Sequence, residues 1–282
     1  MIDSAIRLLA IDIDGTLVNS RDELTPEVCT ALKTAKAAGV EIVLATGRRY
    51  SRALPLVEPL GLEVPLITGG GGLIKNPLDH RTLWQAKFDR LALLETLRLV
   101  GEAGFDAVLY GDTYDEGFDF YCPRLNVSRA DLAEFYAKNA GFERVTPGLM
   151  EMPPEGTFAG FAMGTKAEML ELQAVLERRL PDDLLLLVLR SPRYSGFMCE
   201  IGVSGVSKWS GIRHLADEWG IADHEICAVG DDVNDIPMIQ AAGLGVAMGN
   251  ALPEVKAAAQ RIAPGHDQDG LVEVVRWILE TR

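Results

Sequence analysis

An apolar run from Ile6 to Ile13, broken only by Arg7 and Asp12, opens into Asp14-Gly15-Thr16-Leu17, and this stretch constrains the fold most. A short apolar run next to a glycine reads as a buried strand, of the kind found in a parallel sheet covered on both faces. Two carboxylates at i and i+2, Asp12 and Asp14, point the same way from the end of such a strand. In open α/β sheets that end is the edge where ligands bind. Gly15 lets the chain leave the strand sharply and brings backbone close to whatever the carboxylates serve. Taken alone, the same residues also describe a strand running into a turn with two solvated aspartates.

The rest of the chain extends the pattern. Thr25-Pro26-Glu27 supplies an N-cap, a proline at the first helical position and an acid in the first turn. Helical spacing of Val28, Ala31, Leu32 and Ala35 follows, stopped by Gly39. Val40 to Ala45 forms a second strand ending in Thr46-Gly47-Arg48, so residues 6–48 make a right-handed parallel strand–helix–strand unit. Ser51 to Leu60 reads as a short helix, and Val64 to Thr68 as a third strand before four glycines, Gly69 to Gly72.

Near residue 85 the order changes. Helices beginning at Asp89, Ser128 and the capping box Thr165–Glu168 mix with strands at Phe105–Tyr110, Phe118–Tyr121, Thr157–Met163 and Leu184–Leu189. The mixture lacks one long alternating series and reads as an inserted α+β domain over residues 85–192. From Gly196 the alternation returns: a strand at Phe197–Ile201, a helix at Ser207–Trp219, a strand at Glu225–Val229 and further short elements to Leu279. The expected architecture is thus an α/β protein. Residues 1–84 and 193–282 form a Rossmann-like parallel-sheet core, and 85–192 an insertion.

With 282 residues, 48% apolar and 24% charged, the chain has ample material for two buried cores. Its net charge of −14 argues against nucleic acid as a partner, since phosphate-backbone binding needs a basic surface. No run of eighteen apolar residues suggests a membrane span, and Met1 to Ser4 lack the pattern of a secretion signal. Cys29, Cys122, Cys199 and Cys227 are scattered without a C-x-x-C pair. They read as small hydrophobes of a reducing compartment, with the cytoplasm the default.

Four loops stand at strand ends or helix starts: Asp12/Asp14, Thr46, Lys208, and Asp231/Asn234/Asp235. Each has an ordinary explanation by itself. Thr46 could cap a helix, Lys208 could be a solvated helix lysine, and Gly230-Asp231-Asp232 could be a turn followed by a cap. Yet the carboxyl ends of parallel strands share one rim, so the loops should converge. Three or four carboxylates with one lysine and one threonine would repel unless a hard cation joined them, and oxygen ligands of this kind suit Mg²⁺.

Asp12-Ile13-Asp14-Gly15-Thr16-Leu17, Ala45-Thr46-Gly47-Arg48, Gly205-Val206-Ser207-Lys208 and Gly230-Asp231-Asp232-Val233-Asn234-Asp235 resemble the four motifs of haloacid dehalogenase-superfamily phosphatases. The stretch Ala241 to Ala251, with Met248-Gly249-Asn250-Ala251, is similar to that of the Cof-type subfamily. The resemblance covers residues 6–76 and 196–275, and it implies a large α/β cap between the second and third motifs. It further implies that Asp12 attacks phosphorus to form an aspartyl-phosphate, while Asp14 protonates the leaving oxygen and then deprotonates the hydrolytic water. Mg²⁺ would be held by the Asp12 carboxylate, the Asp14 main-chain carbonyl and Asp231, with Asp235 adjacent or acting through water. Thr46, the Gly47 backbone, Lys208 and Asn234 would hold phosphoryl oxygens. At 4 Å and an effective dielectric of 20 two unit charges interact by roughly 4 kcal/mol, so a carboxylate nearing a phosphate dianion faces about twice that. One lysine cannot offset it, which makes the divalent ion essential to such chemistry.

The chain also departs from the family's usual pattern. Gly70-Gly71 stands where an Asn-Gly is usual, which leaves out an amide and suggests a looser glycine loop. His266 stands where an Asn is common, and Trp209 follows Lys208 where Gly is preferred. Arg48 could reach the substrate or brace the cap, Asp232 reads as a supporting or solvated acid, and Tyr110, Asp112, Tyr114 and Tyr194 are candidates for specificity. The leading expectation is a Mg²⁺-dependent phosphomonoesterase acting on a small phosphorylated metabolite such as a sugar phosphate. A phosphomutase or a phosphatase dedicated to a disaccharide phosphate is the enzymatic alternative. A catalytically silent binding protein on the same scaffold is the alternative of another class. The sequence leaves open whether the chain is a monomer or a homodimer.

Overall fold

The structure, a computed structural model, describes residues 5–125, 128–190 and 194–280. Two compact units divide the chain: one runs up to Trp84 and resumes at Ser207, and the other is Gln85–Val206. The first begins with β1 (Leu8–Asp12), followed by a tight turn, then α1 (Pro26–Ala37), β2 (Glu41–Ala45), α2 (Tyr50–Val57), β3 (Leu66–Thr68), β4 (Leu73–Lys75) and β5 (Thr82–Gln85). The second carries α3 (Arg90–Glu102), β6 (Val108–Tyr110), β7 (Phe120–Cys122), α4 (Ala130–Lys138), β8 (Glu143–Val145), β9 (Ala159–Gly164), α5 (Lys166–Arg179), β10 (Leu184–Arg190) and β11 (Phe197–Val203). The first unit is completed by α6 (Lys208–Glu218), β12 (Ile226–Gly230), α7 (Ile236–Ala241), β13 (Leu244–Ala247), α8 (Pro253–Ala258), β14 (Arg261–Ile262) and α9 (Gly270–Leu279).

In the first unit eight strands form one sheet in the order β14-β13-β12-β1-β2-β3-β4-β5. The pairs from β14 to β3 are parallel, and β4 runs antiparallel to β3. Strand β1 is buried along its whole length, as its apolar sequence requires. From β1 the chain builds outward to β2 and β3 on one side, then returns to build β12 and β13 on the other. Order reverses between β1 and β12, and that is the place where open α/β sheets make their binding crevice. Helix α6 buries Ile212, Leu215 and Ala216 against Met238 and Ile239 of α7, each large side chain contributing about 1.5–3 kcal/mol by leaving water.

The second unit has a six-stranded sheet in the order β10-β11-β9-β6-β7-β8. One apolar cluster joins α3 and α5 to it through Leu93, Leu97, Met169, Leu172, Cys199 and Ile201. Another joins α4 through Phe120, Phe135, Phe161 and Met163. Here the sequence-based boundary needs correction. Phe197–Ile201 was expected to resume the core, but β11 pairs antiparallel with both β10 and β9, so the insertion extends to Val206. The expected boundary residue, 193, lies outside the described residues. Strands β4, β5, β8 and β14 were not expected, being short or rich in polar residues. All four cysteines are free, with Cys122, Cys199 and Cys227 buried. No helix among the described residues is long and apolar enough to cross a membrane.

Candidate active site

The end of β1 sets the site. Asp12 closes the strand with only 3% of its surface exposed, and the chain then turns through Asp14 and Gly15. Gly15 has φ +74°, and a β-carbon there would lie 2.3 Å from an Asp231 carboxylate oxygen. The turn therefore packs directly on the loop after β12 and tolerates nothing larger than glycine.

Lys208 is the first residue of α6. Ser207 and Ser210 cap that helix reciprocally, Ser210 N–H donating to the Ser207 hydroxyl and Ser207 N–H to the Ser210 hydroxyl. The buried Lys208 ammonium donates to Asp12 Oδ1 at 2.6 Å, Asp235 Oδ1 at 2.7 Å and Asn234 Oδ1 at 3.2 Å. Asp235, with no exposed surface, receives the N–H groups of Asp231 and Asp232 on its other oxygen at 3.0 and 3.1 Å. One buried ammonium thus links segments nearly two hundred residues apart. Burial works to lower the Lys208 pKa, but Asp12 and Asp235 outweigh it and hold the ammonium above its ordinary value.

Too little positive charge is present for the acids. Carboxylate oxygens of Asp12, Asp231 and Asp235 lie within 4.8 Å of one another. Burial raises the Asp12 pKa well above the usual carboxylate range, Asp235 and Asp231 adding to the effect against the pull of Lys208. Burial and then Asp235 push Asp231 up to about 6. Anionic oxygens that close, with one ammonium among them, fit a hard divalent cation.

The remaining expected residues lie at the same rim. Thr46, fully buried after β2, donates its hydroxyl to Asp14 Oδ2 at 3.3 Å and accepts from Arg48 N–H at 3.0 Å. Gly47 stands beside Asn234, whose amide nitrogen would be 4.0 Å from a β-carbon at 47. Asp14 is half-exposed, and Arg48 grips it: Nε donates to Oδ1 and Oδ2 at 2.8 and 2.9 Å, and Nη2 also bonds Oδ1. The same Nη2 reaches Asp22 at 2.9 Å. Asp232 caps the following turn by accepting from Val233 N–H at 2.7 Å.

Sequence reasoning passed over two members of this group. Thr16 donates to Asp231 Oδ1 at 3.1 Å. Asn250 donates to the Gly15 carbonyl at 2.8 Å and to Asp231 Oδ2 at 3.3 Å, and is itself fixed by His266 N–H at 2.9 Å. Both lie inside the quoted motifs, which was the available signal. His266 contributes here through its backbone, so its departure from Asn costs this contact nothing. The glycine loop is also tied down: Gly69 and Gly70 donate to the carbonyls of Arg48 and Thr46 at 2.9 and 3.1 Å. A β-carbon on Gly71 would sit 2.1 Å from the Ser207 carbonyl, so the loop presses on the start of α6. Tyr110, Asp112, Tyr114 and Tyr194 belong to the second unit, where Tyr110 packs on Phe161 and Tyr194 on Phe135.

Comparison with known proteins agrees with the fold. Residues 9–275 match the model of the haloacid dehalogenase-like hydrolases. Phosphatase YwpJ of Bacillus subtilis is 30% identical, the alignment covering 97% of this chain and all of that protein. The HMP-PP phosphatase of Serratia proteamaculans is 31% identical over 89% of this chain and 86% of its own length. A haloacid dehalogenase-like hydrolase from Bacteroides thetaiotaomicron superposes with a TM-score of 0.76 at 25% identity, covering 97% and 99% of the two chains. The chain belongs to the haloacid dehalogenase-like hydrolase family.

Proposed function

We propose that this phosphoric monoester hydrolase, a phosphatase, uses Asp12 and Mg²⁺ to release phosphate from a small phosphorylated metabolite, most simply a sugar phosphate. One observation carries the reading: Lys208 engages Asp12 Oδ1 alone, and Oδ2 accepts no hydrogen bond among the described residues. An oriented, buried carboxylate with one oxygen held and one open is poised as a nucleophile.

In this mechanism Asp12 Oδ2 attacks phosphorus, the ester oxygen departs, and a phosphoryl group remains on Asp12. Lys208, Asn234, the Thr46 hydroxyl and the Gly47 N–H hold phosphoryl oxygens. Asp14 gives its proton to the leaving oxygen, then takes one from the water that cleaves the acyl phosphate. Arg48 holds Asp14 through Nε and Nη2, so Asp14 can turn to the leaving oxygen once Arg48 releases it. Asp12, Asp231, Asp235 and the Asp14 main-chain carbonyl would hold Mg²⁺, which when bound neutralises the approach of a carboxylate to a phosphate dianion. Thr16 and Asn250 keep the Asp231 carboxylate aimed at that position.

A net charge of −14 argues against nucleic acid as a partner and is compatible with a small anionic substrate only through the local cationic groups of this site. Free, mostly buried cysteines favour the cytoplasm. The test is phosphate release across a panel of phosphorylated metabolites. Wild-type protein with Mg²⁺ should hydrolyse some members, Asp12→Asn none, and chelation should abolish turnover. Full activity in Asp12→Asn, or indifference to chelation, would refute the mechanism.

A further inference from the structure

Among the described residues, β10 is the one outer strand of the two sheets that is long and carries no guarding feature. β14 has two residues, β5 has four with polar ends, and β8 is the three-residue Glu143-Arg144-Val145. β10 has seven residues, Leu-Leu-Leu-Leu-Val-Leu-Arg, with no charge before Arg190. It lies at the end of its sheet and, among the described residues, pairs only with β11. Edge strands normally carry an inward charge, a proline or a bulge that blocks further pairing, and a flat apolar edge without them is a pairing surface. Leu185 and Leu187 are 49% and 42% exposed.

The backbone is arranged for a further strand. Ser204 N–H donates to the Asp183 carbonyl at 3.1 Å, continuing the β10–β11 ladder. In an antiparallel ladder alternate residues bond the same neighbour. Leu185, Leu187 and Leu189 therefore turn their backbone groups to β11, while Leu184, Leu186, Val188 and Arg190 turn theirs outward.

We propose that β10 is a self-pairing edge, through which two copies of this chain join their six-stranded sheets antiparallel about a twofold axis at Leu186. A twofold axis normal to the sheet keeps every side chain on its own face, so it must pass through a residue. Centred on Leu186, the outward-turned residues meet as hydrogen-bonded pairs, Leu186 with its copy and Leu184 with Val188. The exposed Leu185 and Leu187 then face each other across the seam. Asp182 meets Arg190 at both ends; both are exposed, and neither has an ion-pair partner among the described residues. A register centred on Leu187 would place Arg190 opposite Leu184 and lose both ion pairs. Charge complementarity thus selects the occupant and the register together, and the contact is isologous, closing at two copies.

The full-length protein settles this in sedimentation equilibrium or light scattering after gel filtration. Wild type should be a dimer at micromolar concentration. Asp182→Arg, which sets two arginines against each other at both ends, should raise the dissociation constant at least about tenfold, as should Arg190→Asp. The double exchange should restore it to within about threefold of wild type. Leu187→Lys should give monomer, because two ammonium groups would share the apolar seam. Far-UV circular dichroism unchanged in each variant separates dissociation from unfolding. A wild-type monomer throughout, which would leave the edge to another partner, overturns the proposal. So does a dimer indifferent to the charge exchange and to Leu187→Lys, since its contact would then be elsewhere.

Discussion

Asp231 sits in an unfavourable place when no cation is bound. Its carboxyl titrates at about 6, against about 3.9 in an unfolded chain, so between those values the native state binds the extra proton. Its contribution to stability is greatest below about pH 4 and is lost as pH rises through about 6. In chelator at pH 7, Asp231→Asn should therefore be more stable than wild type by about 1–2 kcal/mol, the gap closing as pH falls toward 4. Saturating Mg²⁺ should reverse the order. Urea titrations at several pH values measure both, and a variant less stable than wild type in chelator at pH 7 would contradict the assignment. Asn250→Ala removes the donor to Asp231 and Gly15, and should raise the Mg²⁺ concentration for half-maximal activity about 10–100-fold. An unchanged metal requirement would show that Asn250 does not orient Asp231. The acids, the lysine and the threonine were readable as a set from their places at strand ends and helix starts. Which of them hydrogen-bond was not: the grip of Arg48 on Asp14 depends on side-chain directions that spacing does not encode.

Among the elements, the glycine loop and α6 behave as one piece. Gly71, at φ +117°, lies against the Ser207 carbonyl, whereas a β-carbon on Gly70, at φ +66°, would meet nothing within 4 Å. Gly71→Ala should displace the first turn of α6, carry Lys208 away from Asp12, and cost about 2 kcal/mol or more. Gly70→Asn should cost less than about 1 kcal/mol, because asparagine accepts the left-handed region. Thermal or urea unfolding compares them, and equal losses would show that the Ser207 contact does not matter. The run of glycines suggested a loose loop, but its hydrogen bonds to Thr46 and Arg48 are made across the sheet and are invisible in a run of identical residues. β11 teaches the same lesson. Its apolar pattern marked it as a strand, yet pattern is silent about neighbours, and pairing with β9 and β10 moved it to the other unit.

At the scale of the molecule, each unit has its own apolar core. Phe135 lies in the cluster of the second unit with Phe120, Phe161 and Met163. Phe135→Ala should weaken that unit by about 3–5 kcal/mol. Hydrogen exchange should then quicken in β6, β7 and β9 and stay unchanged in β1 and β12. Equal acceleration in both sets would mean that the units unfold together. Division into an α/β core and an insertion was legible because the strand–helix alternation stops near residue 85. The far boundary was not, since a strand that closes one domain and a strand that reopens another look alike in sequence.

The position of β1 at the middle of its sheet bears on how the protein is made. Its two neighbours arrive far apart in time: β2 follows within a few dozen residues, but β12 comes only after the whole second unit. Lys208, which holds Asp12, trails it by 196 positions. At ribosomal speeds of about 5–20 residues per second that is roughly 10–40 s. During that interval a buried strand of the finished enzyme has one apolar edge open, and Asp12 lacks the ammonium that orients it. The nascent chain therefore cannot assemble this site until the segment carrying Lys208 and β12 has emerged, because the partners that fix Asp12 and flank β1 arrive only with it.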